Sequence, residues 1–517
     1  MRRISFVHIS VFVCLMAAFP ASRLMAQEQR PNIVVFLVDD MGWVDTSVPF
    51  ADSVTALNRR YHTPNMERLA KEGMKFTAAY ATSVCTPSRV SLMTGMNAVR
   101  HKVSNWTDVV KDRPTDQPDE MFERTDWNYN GLSPVSGIPH TVYATPLPAL
   151  LKNTGYFTVH VGKAHWGSQG TPGVNPLNMG FMVNVAGNAI GRPQSYYGKD
   201  NYGNIPGNFS YHAVQGLAEY YGTDTFLTEA LTLEALKSID APVKAKQPFF
   251  LHLAHYAVHD PIQGDERFVQ KYLDKGLDPV EAKYASLVEG MDKSLGDVMD
   301  YLDERGVADQ TVILFMSDNG GLSHYGRGGA RQTQNLPLKA GKGSIYEGGI
   351  REPMIVKWPG VVEEGSVVGQ PVMIEDFFPS ILEIAGIKAN DLIQEVDGKS
   401  FVPLLKGERY AHKNRLLVWH NPHRWSNEEG PGINFFSAIR QGKWKLIYNY
   451  KSEKLELYNL DKDLGEAWDL ADKERKTTKR LAAELGDYLR KYEAQMPIYK
   501  TSGKAVPWPD ETTRTDR

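Results

Sequence analysis

The stretch Asn32-Ile33-Val34-Val35-Phe36-Leu37-Val38-Asp39-Asp40 decides how this chain is read. A continuous apolar, β-branched run is the pattern of a strand buried on both faces, as in a parallel sheet; a strand with one wet face would alternate. The run stops at two aspartates, so both carboxylates fall at the carboxyl end of the strand. Working outward, helical patterns follow near 65–72, 88–93 and 148–153. A strand-like run at 157–161 leads into Gly162-Lys163. A helix is expected at 224–239 and a buried strand at 248–253. The stretch 281–304 is a long amphipathic helix, with Tyr284, Leu287, Val288, Met291, Leu295, Val298, Met299 and Leu302 near helical spacing. It leads to a strand at 311–316 that ends in Ser317-Asp318-Asn319-Gly320-Gly321. Strands alternating with helices in this way predict an α/β sandwich around a mostly parallel sheet.

In open sheets of that class ligands collect outside the carboxyl ends of the strands. Asp39-Asp40 and Asp318-Asn319 both lie there, and the architecture can bring them together. Converging, they would offer hard oxygen ligands that suit Ca²⁺ or Mg²⁺ better than zinc. Either pair alone reads equally well as turn and cap residues.

The 517 residues are 42% hydrophobic and 23% charged, which excludes disordered, collagen-like and multi-span membrane classes. The 58 Lys+Arg against 61 Asp+Glu give a formal charge of −3, with no basic excess to suggest nucleic acid or an anionic membrane surface as partner. At the start, Arg2 and Arg3 precede an apolar run from Ile4 to Phe19 and a small-residue exit near Ala26. This predicts a cleavable signal peptide over 1–26, no stable membrane span, and a periplasmic, secreted or cell-surface protein. Of the two cysteines, Cys14 would leave with that peptide. Cys85 then remains in a polar, turn-prone, cationic setting, Cys85-Thr86-Pro87-Ser88-Arg89, unlike that of a thiol packed as a small hydrophobe.

Residues 104–145 and 168–222 are rich in Gly, Pro, Asn, Tyr and Trp, as functional loops often are. Trp127, Tyr129, Tyr196, Tyr197, Tyr220 and Tyr221 could stack on sugar rings or simply pack. After about residue 400 short strand-like runs at 416–419, 435–440, 443–448 and 455–460 precede a charged helical stretch at 476–495. The division expected is a catalytic α/β domain over 27–405 and a smaller α+β domain with an antiparallel sheet over 406–517, which would complete the substrate pocket.

Cys85-Thr86-Pro87-Ser88-Arg89-Val90-Ser91-Leu92-Met93-Thr94-Gly95 resembles the signature of type I sulfatases, in which Cys-x-Pro-x-Arg directs oxidation of the cysteine to formylglycine. Gly162-Lys163-Ala164-His165-Trp166-Gly167 looks like the family's Gly-Lys-x-His-x-Gly, and Ala257-Val258-His259-Asp260-Pro261 is similar to its Ala-Pro-His-x-Pro. The run from Leu338 to Pro353 resembles its downstream block. Ala164, Trp166 and Val258 depart from the commonest family residues while leaving the chemical groups intact.

The resemblance implies an alkaline-phosphatase-like sandwich and hydrolysis of sulfate esters. Cys85 would become a formylglycine whose hydrate attacks sulfur, giving a sulfo-enzyme that later expels sulfate. Asp39, Asp40, Asp318 and Asn319 would hold one divalent cation, Ca²⁺ in most relatives. Arg89 would hold the hydrated aldehyde, Lys163 and Lys342 would neutralise sulfate oxygens, and His165 would take a proton during sulfate release. His259 would protonate or polarise the leaving sugar oxygen, with Lys342 sharing that task. A formylglycine-generating maturation enzyme is the implied partner, and the implied substrate is a sulfated carbohydrate, cleaved in exo fashion at galactose or N-acetylgalactosamine. His423 and Arg424, in His420-Asn421-Pro422-His423-Arg424-Trp425, are the candidate contacts to sugar hydroxyls, although this stretch could equally pack on the main domain. Two rival readings stay open. One is a phosphatase or phosphonate hydrolase of the same superfamily, disfavoured by a ligand set without histidine; the other is a sulfoglycan-binding protein with an unmodified Cys85.

Overall fold

The computed structural model describes residues 30–208 and 210–512. The expected signal peptide over 1–26, with Cys14, lies outside them. Strand β1 spans Asn32–Val38, β2 Met74–Tyr80, β3 Gly131–Ser133, β4 Thr141–Tyr143, β5 Phe157–Gly162, β6 Val183–Val185, β7 Phe249–Ala254 and β8 Thr311–Ser317. β9 follows at Arg351–Lys357, β10 at Ser366–Val368, β11 at Val372–Met373, β12 at Leu417–Asn421, β13 at Phe436–Gln441, β14 at Trp444–Asn449 and β15 at Lys454–Asn459.

The large sheet runs β10-β2-β9-β8-β1-β7-β5-β6, with β11 also paired to β2. All its pairings are parallel except those of β9, which is antiparallel to both β2 and β8. β1 is central and its side chains serve two cores. Val34, Phe36 and Val38 join the cluster under the helix Pro279–Glu304, and Ile33, Val35 and Leu37 join the cluster on the other face. That double burial is why its sequence is continuously apolar. The helix Pro279–Glu304 starts where Asp278 accepts hydrogen bonds from the Val280 and Glu281 N–H groups ahead of Pro279 at its first position.

The second sheet is antiparallel, β12-β13-β14-β15. One face packs on Leu481, Leu485 and Leu489 of the helix Arg475–Lys491. The other face meets the large domain, with Trp419, Phe436, Ala438 and Ile447 against Tyr80, Ile345, Tyr346 and Ile350. Trp419 Nε1 donates to the Ala81 carbonyl at 2.8 Å across this seam. A buried ion cluster lies beside it: Lys445 bridges Glu347 at 2.9 Å and Glu466 at 2.8 Å, and Glu347 accepts from Arg351 at 2.7 Å. Among the described residues no helix is long and apolar enough to cross a membrane.

Candidate active site

The site is assembled at the carboxyl ends of four adjacent parallel strands, in the order β8-β1-β7-β5. The register Val38↔Ser317 makes Asp39 and Asp318 leave the sheet side by side. The Asp39 N–H donates to the Ala257 carbonyl at 3.0 Å and the Val258 N–H to the Asp39 carbonyl at 2.7 Å, which draws the segment after β7, with His259, against the aspartates. Lys163 follows β5 with its N–H on the Ala254 carbonyl at 2.7 Å. Gly162 makes this approach possible: its φ is +98°, and a Cβ there would sit 2.0 Å from the Ala254 oxygen. Asp40 has φ 63°, a left-handed conformation that Asp tolerates better than most residues.

Helix α1 covers Pro64–Glu72, and α2, Cys85–Thr94, follows β2. Cys85 is the first residue of α2 and Arg89 lies one turn on, so the Cys-x-x-x-Arg spacing puts both on one helix face. α2 is buried throughout and ends at Gly95, φ +70°, whose N–H returns to the Ser91 carbonyl.

The four acidic and amide residues converge. Oxygens of Asp39, Asp40 and Asp318 lie within 4.8 Å of one another, and so do ligand atoms of Asp39, Cys85 and His259. Lys163 Nζ is 2.6 Å from Asp39 Oδ2, and Lys342 Nζ is 2.7 Å from Asp40 Oδ2 and 3.0 Å from His259 Nε2. Arg89 donates to Asp318 Oδ2 at 2.8 Å and to the Lys163 carbonyl at 2.7 Å. Asn319 Nδ2 donates to Asp40 Oδ1 at 2.8 Å. Two buried oxygens, Asp39 Oδ1 and Asn319 Oδ1, have no hydrogen-bond partner. Three carboxylates with two unsatisfied hard oxygens are a donor set suited to one Ca²⁺- or Mg²⁺-like cation.

The electrostatics follow from burial opposed by charge. Desolvation raises the Asp39 carboxyl well above its usual range, only partly countered by Lys163. For Asp40 the same burial is outweighed by His259, Lys342 and Lys163, leaving a pKa of about 2. Burial would raise the Cys85 thiol, but Lys163, Lys342 and a hydrogen bond to His259 bring it down to about 6. His259 is raised well above an ordinary histidine because Asp40, Asp39 and Asp260 overcome its desolvation. His165, buried and near Lys163, is pushed well below; its Nε2 lies 2.9 Å from the Thr107 carbonyl oxygen.

Above this floor lies a cavity of ≈ 780 Å³. Cys85, His165, His259 and Lys342 line it, with Trp106, Tyr211, Tyr325 and Trp425 among the wall residues. The two expected sugar contacts are displaced from it. His423 is buried, its Nε2 2.6 Å from Ser104 Oγ, and Arg424 donates to the Pro118 carbonyl; neither lines the cavity. The second domain reaches the wall through the residues that come next, Trp425, Ser426, Asn427 and Glu428. The aromatic candidates are likewise absent from the wall. Trp127 Nε1 donates to Asp116, Tyr197 to the Gly264 carbonyl, and the Tyr196 hydroxyl sits 2.9 Å from the His259 carbonyl, bracing the backbone beneath that ring. The sequence gives no signal for Trp106, Tyr211 and Tyr325, because a loop carries no periodicity to say which side faces a ligand.

The Sulfatase family model matches residues 31–387, and the model for the C-terminal part of N-sulphoglucosamine sulphohydrolase matches 341–495. A sulfatase of Formosa agariphila is 30% identical over 98% of this chain and 97% of its own length. The mouse N-acetylgalactosamine-6-sulfatase is 33% identical over 86% of this chain and 82% of its own. The crystal structure of Ps i-CgsB in complex with k-i-k-neocarrahexaose superposes with a TM-score of 0.70 at 27% identity, covering 89% of this chain and 93% of that one. The chain belongs to the sulfatase family and is a sulfuric ester hydrolase.

Proposed function

We propose that this enzyme is exported and removes sulfate from a sulfated sugar in exo fashion, at galactose or N-acetylgalactosamine, with Cys85 converted to formylglycine by a maturation enzyme. The observation that carries this reading is the placement of Cys85. It begins a buried helix at the cavity floor, ligand-distance from Asp39 and His259, under the ammonium groups that lower its pKa. The name of the mouse relative, an N-acetylgalactosamine-6-sulfatase, supports the sugar class. So does a cavity of a size that holds a small ligand of one or two rings.

In this reading Asp39, Asp40, Asp318 and Asn319 would hold one Ca²⁺, which would supply charge neutralisation for a sulfate oxygen and for the nucleophile. Formylglycine at position 85 would supply, as its hydrate, a hydroxyl nucleophile and a route to sulfate release. Arg89 keeps that group at the helix end, and Lys163 and Lys342 offset the charge of the sulfate oxygens. As the sulfur–oxygen bond to the sugar breaks, its electron pair stays on the sugar oxygen, which takes a proton from the His259–Lys342 pair. His165, held neutral by burial, accepts the proton lost in the release step. Residues 27–405 form the catalytic domain and 406–517 a second domain that closes the wall through Trp425–Glu428.

The test is peptide mass spectrometry across Cys85 on protein from its native host. The reading expects the mass loss that turns CH₂SH into an aldehyde; an intact thiol in fully active enzyme refutes the assigned nucleophile. His259→Ala should cost far more on a sugar sulfate than on 4-nitrophenyl sulfate, whose leaving group needs no proton.

A further inference from the structure

His259 is the third member of a chain of contacts that runs down one wall of the cavity. Arg192 NH1 donates to Asp260 Oδ2 at 3.0 Å. Asp260 Oδ1 lies 3.0 Å from His259 Nδ1, and the Asp260 carbonyl oxygen 2.9 Å from the same atom. His259 Nε2 then faces Lys342 Nζ at 3.0 Å. All four residues line the cavity, and their side-chain exposure falls inward: 45% for Arg192, 29% for Asp260, 10% for His259 and 6% for Lys342.

The hydrogen-bond roles follow from the donor inventory. An ammonium has donors only, so a neutral His259 must accept at Nε2 and carry its hydrogen at Nδ1; a cationic ring carries one there in any case. In both states Nδ1–H is directed at Asp260, whose main-chain carbonyl accepts the hydrogen bond while its carboxylate lies 3.0 Å from the same nitrogen as an ion-pair partner. Position 260 is the unspecified x of the His-x-Pro stretch, so the motif that identifies His259 does not dictate a carboxylate beside it. The Tyr196 hydroxyl fixes the His259 carbonyl from below but touches no ring atom.

We propose that Asp260, held in place by Arg192, is a positioning residue. It fixes the orientation of the His259 ring through Nδ1–H, so that Nε2 is the nitrogen presented to the leaving sugar oxygen. This rests on the leaving-group reading of His259, and it makes the outer wall of the cavity part of the proton-delivery apparatus.

The full-length mature enzyme is assayed with N-acetylgalactosamine 6-sulfate and with 4-nitrophenyl sulfate. Asp260→Ala is expected to lower kcat on the sugar ester about 10- to 100-fold and to leave 4-nitrophenyl sulfate within about threefold. Asp260→Asn, which keeps a side-chain oxygen beside Nδ1 in addition to the main-chain carbonyl that every variant retains, should recover most of the loss. His259→Ala/Asp260→Ala should be no slower than His259→Ala alone, since a positioning residue has nothing left to position. Arg192→Ala should act in the same direction with smaller effect, and with Asp260→Asn it carries the test if Asp260→Ala does not fold. A raised KM with unchanged kcat would make Asp260 a sugar contact and overturn the proposal. So would equal losses on both esters, or multiplying losses in the double variant. If His259→Ala itself loses equally on both esters, the underlying reading of His259 fails, a result separable from any behaviour of Asp260→Ala.

Discussion

His101 lets the acid stability of this enzyme be worked from one ring. It is fully buried, its Nδ1 accepts the Val103 N–H at 3.0 Å, and its Nε2 lies 3.0 Å from Ser91 Oγ on α2. Nδ1 is therefore the acceptor and Nε2 carries the hydrogen, so a second proton would point at an N–H that is already there. Burial lowers its pKa to about 3, against about 6.5 in an unfolded chain. Between these values the unfolded chain binds the extra proton and the folded one does not. Stability is thus intact above pH 6.5, falls as the pH falls, and loses nothing more from this ring below pH 3. From pH 7 to pH 5 the cost is about 2 kcal/mol for this residue alone. Urea unfolding of the wild type and of His101→Gln at pH 7, 6 and 5 checks it. Gln should cost about 1–3 kcal/mol at pH 7 through weaker partners, and the gap should narrow by about 2 kcal/mol at pH 5. Parallel stability curves for the two proteins would refute the reasoning, because they would mean His101 binds its proton equally in both states.

Gly343→Ala should disturb the cavity wall, since a Cβ at this φ of +84° would lie 2.0 Å from the Trp425 ring. KM on a sugar sulfate should rise several-fold with 4-nitrophenyl sulfate little affected; an unchanged KM would show that Trp425 does not shape the sugar end. Lys445→Ala leaves Glu347 and Glu466 buried without their shared cation and should cost about 3–5 kcal/mol in thermal or urea unfolding. Adding Glu466→Gln should recover part of that loss, and a cost under about 1 kcal/mol would show the cluster is not buried as described.

The parts of the molecule most legible from sequence are those where one physical requirement dominates. β1 and β8 are buried on both faces, so their composition announces them, and the acidic residues just beyond each strand fall where an open parallel sheet collects ligands. β2 and β9 carry no such pattern. Met74–Tyr80 mixes Lys and Thr with small residues, and Arg351–Lys357 carries Arg, Glu and Pro in the middle of the sheet. β9 tolerates Arg351 because Glu347 and the Tyr80 hydroxyl, from the same domain, accept its hydrogen bonds beside the seam, a compensation visible only in three dimensions. His423 and Arg424 lie off the cavity wall for a similar reason. Residue type suggested them, but the turn of the chain at β12 aims them into the seam and leaves Trp425 to face the cavity.

The Trp419–Ala81 hydrogen bond also sets an order in time. Its partners lie 338 residues apart, so at the ribosome's pace of about 5–20 residues per second roughly 20–70 s pass between the synthesis of one and the other. Throughout that interval the segment that becomes α2 has neither the seam above it nor the Trp425 wall beside it. On the proposed conversion of Cys85, this interval is when a modifying enzyme would find the residue outside its buried helix. Once the last strands arrive, those residues are closed inside a helix buried along its whole length.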